Sequence, residues 1–129
     1  IIREESVRIE AGPLSSLWLD KVELPEAGLF ENYVSFRLEA DGEILSSGSV
    51  LFCAPKYFAF RDPCLQVRAE GEELVVTADA YARSVEIHNA ADDMLLEDNY
   101  FDMDAGTRRV KIREGKPEGL TIRSVYDIR

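Results

Sequence analysis

Glu97-Asp98-Asn99-Tyr100-Phe101-Asp102-Met103-Asp104-Ala105-Gly106 runs directly into Thr107-Arg108-Arg109-Val110-Lys111-Ile112. Two physical signals meet in this stretch. Asp and Asn side chains hydrogen-bond nearby backbone groups and so mark turns and strand ends. Val110 and Ile112 then alternate with charged residues, as a half-buried strand does. A Gly-ended turn leading into such a strand reads as the last hairpin of a β-sandwich.

Outward from that stretch the same period of two recurs, and no segment sustains a period of 3.6. Residues 95–100 read as the preceding strand. Val85 and Ile87 share one face, with Ser84, Glu86 and His88 opposite. Leu74, Val76, Ala78 and Ala80 share another; Leu65, Val67 and Ala69 alternate, as do Phe58 and Phe60. Turn signals at Arg61-Asp62-Pro63, Gly71, residues 89–93 and residues 115–119 separate these runs, and Leu120, Ile122, Tyr126 and Ile128 close the chain. From Tyr57 onward this predicts about seven short strands, the number an immunoglobulin-like sandwich needs.

Toward the N-terminus, Val34, Phe36, Leu38 and Ala40 form the cleanest half-buried alternation. Asp41-Gly42 is a turn, and residues 44–52 return, with Gly48 predicting a bulge or a close backbone approach. Val7 with Ile9, and Leu17 with Leu19, predict further strands; the parity change to Val22 and Leu24 predicts a bulge between them. Residues 1–54 thus hold three or four strands, enough for one sheet and too few to cover both its faces. The chain therefore reads as all-β: residues 1–54 a partial β-sandwich, residues 55–129 an immunoglobulin-like β-sandwich. It reads as a piece of a longer polypeptide.

Composition narrows the function classes. A hydrophobic content of 46% across 129 residues suits a folded core. The net charge of −10 is spread over both parts, with 4 basic and 10 acidic residues in 1–54 and 11 and 15 in 55–129. Such a field repels nucleic acid and anionic membrane alike. No apolar run approaches the roughly 18 residues that span a bilayer. Cys53 and Cys64 read as two small buried thiols, which favours a reducing, cytoplasmic setting; one His leaves too few ligands for a zinc site.

Pro55-Lys56, Arg61-Asp62-Pro63, Ala80-Tyr81-Ala82-Arg83-Ser84-Val85-Glu86-Ile87 and Asp98-Asn99-Tyr100-Phe101-Asp102 with Gly106 occur in a fixed order. Together they resemble the C-terminal immunoglobulin-like region of β-mannosidases of glycoside hydrolase family 2. The earlier Ala11-Gly12-Pro13-Leu14-Ser15-Ser16 and Glu43-Ile44-Leu45-Ser46-Ser47 are similar to the end of the preceding sandwich domain. One departure stands out: the family places two Leu and a Pro before the Gly, where this chain has Met103, Asp104 and Ala105, implying a looser turn. The resemblance implies a parent that removes terminal β-linked mannose with two glutamates on a (β/α)₈ barrel. No part of this chain corresponds to that barrel.

No catalytic residue is therefore expected here, nor a metal site or cofactor. Asp98, Asn99 and Asp102 read as caps on backbone groups, since the regular oxygen spacing of a calcium loop is missing. His88 reads as an exposed bystander, and Ser46, Ser47 and Ser49 as a polar strand face. Among the aromatics, Tyr81 and Tyr100 are the candidates for a sugar-stacking surface. The expected role is structural support of the catalytic barrel and neighbouring domains. A carbohydrate-binding module holding oligosaccharide and a stand-alone interaction sandwich are the alternatives. Open strand edges in residues 1–54 also predict a homo-oligomer of the chain by itself.

Overall fold

The structure, a computed structural model, describes residues 1–128. Seven strands form the predicted immunoglobulin-like sandwich: β3 (Gln66–Glu70), β4 (Glu73–Ala78), β5 (Ala82–His88), β6 (Leu95–Leu96), β7 (Phe101–Met103), β8 (Gly106–Glu114) and β9 (Thr121–Arg123). They build one sheet ordered β3-β4-β8-β6 and a second ordered β7-β5-β9, every pair antiparallel. Four strands over three is the constant-type immunoglobulin arrangement. The inner faces supply the core: Leu74, Val76 and Val110 from the first sheet meet Val85, Ile87, Phe101 and Met103 from the second. Val75 points the other way yet is only 2% exposed. Its cross-strand neighbours are Arg68 and Arg109, whose aliphatic stems flank it on that face.

The quoted stretch is not a hairpin. β7 pairs with β5 in one sheet, while β8 pairs with β4 and β6 in the other, so the Asp104-Ala105 turn carries the chain across the sandwich. Residues 95–100 likewise contribute only the two-residue β6 before the chain leaves that sheet. Alternation reports which face a residue takes and says nothing about which strand lies beside it, so a sheet-crossing corner looks like a hairpin.

Residues 1–54 differ more. β1 (Tyr33–Ala40) and β2 (Glu43–Leu51) pair as a hairpin through Asp41 and Gly42, whose φ values of 53° and 80° fit a type I′ turn. Its bulge falls at Leu45, since Leu38 faces Ser46 while Glu39 faces Ile44. At Gly48 the close approach is to a ring: an added Cβ would lie 2.8 Å from Phe36 Cζ. The strands expected around Val7 and Ile9 and around residues 17–24 are absent, and residues 1–32 carry no strand. Their side chains are largely exposed, Trp18 at 93%, and an extended segment without a neighbour has no ladder to join. The predicted strand at Phe58 and Phe60 is instead a 3₁₀ turn (Pro55–Tyr57) followed by irregular chain. There the Phe58 and Phe60 amides bond locally to the Pro55 and Phe58 carbonyls, the Ala59 amide reaches another segment at the Phe30 carbonyl, and both rings pack in one cluster. At the other end Ser124-Val125-Tyr126-Asp127 opens a one-turn helix α1 (Val125–Ile128), where the Asp127 carboxylate accepts from the Ser124 amide at 2.7 Å.

Candidate functional site

The Asp98–Asp102 segment organises one end of the sandwich by replacing backbone with side chain. Continuing the β5–β7 ladder beyond Val85 and Phe101 would set Ile87 opposite Asn99. Asn99 instead meets Ile87 with its amide group: Oδ1 accepts from the Ile87 amide at 3.0 Å, and Nδ2 donates to the Ile87 carbonyl at 3.1 Å. The same Oδ1 accepts from the Tyr100 amide at 3.1 Å, which holds Tyr100 at φ 62°. Asp102 does the same for the bulge between Ala82 and Val85, where its Oδ1 accepts from the Ser84 amide at 2.8 Å. Asp98 pairs with Arg108, whose guanidinium lies 4.0 Å over the Phe101 ring. Asn99 and Asp102 therefore hold backbone groups, while Asp98 holds the Arg108 side chain.

The β1–β2 hairpin docks against that end. Tyr33 stacks on Tyr81 with ring centroids 3.9 Å apart, and Phe58 and Phe60 close the aromatic cluster from the other side. Ser49 of β2 bonds both the Tyr81 hydroxyl, at 2.5 Å, and the Asp102 carboxylate. The Tyr33 hydroxyl donates to Asp104 at 2.7 Å. Asp104 is one of the residues expected to loosen the turn; here it anchors the hairpin. Burial, reinforced by Asp104, pushes the Tyr33 phenol well above its ordinary value, and burial raises Tyr81 as well. Ser49 thus serves as a bridge between the hairpin and the Ig-fold domain.

Of the two aromatic candidates, Tyr81 is only 8% exposed and packed within the cluster, whereas Tyr100 is 59% exposed. Tyr100 stands at a cleft of about 390 Å³ that Ser47 and Gly48 of the hairpin share with Arg83, Ser84, Asp98 and Arg108. Sequence reading did not reach Arg83, Ser84 or Arg108 because the bulge that aims the first two has no signature in the alternation. His88 is half-exposed; its Nδ1 lies 2.8 Å from Asp92 Oδ1, and Nε2 lies 3.8 Å from Glu86, which also pairs with Arg123. Among the described residues no group of three His, Cys, Asp or Glu side chains would hold a metal ion. Cys53 and Cys64 are free; Cys64 is exposed, not buried as expected, and the Asp62 carboxylate holds its thiol above the ordinary range.

The family model for the mannosidase Ig-fold domain matches residues 60–128. The chain belongs to that family. In this Ig-fold domain the matched range takes in all of β3 to β9 and leaves the β1–β2 hairpin outside. No curated protein matches the chain.

Proposed function

We propose that this Ig-fold domain and its hairpin are the non-catalytic, C-terminal accessory region of a β-mannosidase-like hydrolase of glycoside hydrolase family 2, and that they brace its catalytic barrel. The observation that carries this reading is the two-sided character of the hairpin. Tyr33, Ser49 and Leu51 face the Ig-fold domain. The opposite face presents Val34, Phe36, Leu38 and Val50, with Phe36 53% and Val50 50% exposed. A two-stranded ribbon with one uncovered apolar face is marginal by itself, and covering one Phe or Leu contributes about 1.5–3 kcal/mol. The remaining strands of the preceding sandwich are the natural cover. The parent would cleave terminal β-linked mannose; this region would add rigidity and no chemistry.

The test is the double substitution Phe36→Asp with Leu38→Asp in the intact hydrolase. Thermal inactivation is expected several degrees lower, with KM for p-nitrophenyl β-mannoside unchanged. Inactivation at the parent temperature would contradict bracing, as would release of p-nitrophenol by the 129-residue chain alone.

A further inference from the structure

The geometry points to a second role at the cleft beside Tyr100: a site for one or two rings of a neutral saccharide, stacked on Tyr100 with hydroxyls bridging Asp98 and Arg108. Three observations converge there. The cleft of about 390 Å³ falls at the small end of the ligand-site range, about 300–1,000 Å³. Tyr100 is an aromatic residue held at φ 62° and left 59% exposed. Bulky side chains adopt that backbone region only where surrounding structure imposes it; here the Asn99 side chain does so, by accepting from the Tyr100 amide. Ser84, at φ 50°, lines the same cleft, so two strained residues converge on one cavity.

The chemistry of these groups selects the ligand class. Asp98 and Arg108 form an ion pair with side chains 46% and 28% exposed, so an acceptor and a donor reach solvent side by side. A sugar hydroxyl both donates and accepts, and matches such a pair without adding charge. The basic residues lining the cleft, Arg83 and Arg108, are balanced by Asp98 and Asp102. No excess charge remains to favour an anionic ligand, and the chain's net charge of −10 opposes one. The apolar face of a pyranose ring supplies the partner for Tyr100. The proposal does not rest on bracing: neither Phe36 nor Leu38 lines the cleft, although Gly48, which does, lies against the Phe36 ring.

Titration of the ¹⁵N-labelled 129-residue chain with β-1,4-mannobiose, cellobiose and digalacturonate, followed by amide shifts, tests the proposal. A neutral disaccharide is expected to move the amides of Ser47, Ser84, Asp98 and Tyr100 saturably. Tyr100→Gly removes the ring and also relieves the positive φ; it is expected to keep or raise Tm while weakening binding at least about tenfold, or 1.4 kcal/mol. No saturable shift with either neutral sugar up to about 50 mM, beyond the millimolar range of weak sites, would overturn the site. Binding unaffected by Tyr100→Gly, or digalacturonate binding more tightly than both neutral sugars, would overturn it equally.

Discussion

Asn99 is the residue that shapes the 97–106 segment. Its amide group meets both backbone polar groups of Ile87, a residue 2% exposed, where a strand would otherwise be needed. Asn99→Ala leaves a buried donor and a buried acceptor unpaired. It is expected to cost about 2–3 kcal/mol, read as a lower urea midpoint with an unchanged m-value. Asn99→Asp keeps the acceptor and loses the donor, and is expected to fall between. An unfolding free energy for Asn99→Ala within about 0.5 kcal/mol of the parent value would show the ladder closing by itself. This role was legible in part: Asn and Asp at a strand end predict capping. The partner, twelve positions away, was not, because no local pattern encodes it.

The elements divide by whether their partners are local. β4, β5 and β8 appear where the period of two places them, although Val75 and Glu86, on the opposite parity, are buried as well. The β1–β2 hairpin was legible for the same reason, since Asp41-Gly42 names its own turn. Residues 1–32 alternate as well and form no strand, because alternation needs a neighbour to become a sheet. The junction between hairpin and sandwich is the element-level feature that sequence could not supply; it depends on Tyr33, Ser49 and Tyr81 meeting across the fold. Its pH dependence follows from Tyr33 and Tyr81. Both phenols are raised in the folded state, so docking favours the neutral forms. Their contribution is complete below the unfolded phenol value of about 10 and fades as pH climbs through it toward the folded values. Spectrophotometric titration is expected to show a late-ionising component that Tyr33→Phe and Tyr81→Phe each reduce. Its persistence in both variants would contradict the docking described here.

At the scale of the molecule, the fold class was readable in full and the topology in part. About seven strands were expected after Tyr57 and seven are present, but the one expected at Phe58 and Phe60 did not form, β7 takes its place in the count, and the β7–β8 corner crosses sheets where a hairpin was expected. The candidate site was half legible: Tyr100 is exposed and Tyr81 is core, a distinction that parity in neighbouring segments cannot make. What emerges is a molecule of two tiers. The Ig-fold domain closes its own core, while the hairpin is fixed along one face and leaves Phe36, Leu38 and Val50 exposed on the other. Residue-resolved native hydrogen exchange of the chain by itself tests that division most directly. Amides of β4, β5 and β8 are expected to exchange together through the slowest opening. Those of β1 and β2 should exchange about 100-fold faster, an opening about 2.7 kcal/mol easier. Hairpin amides protected as strongly as those of β4 would contradict the account.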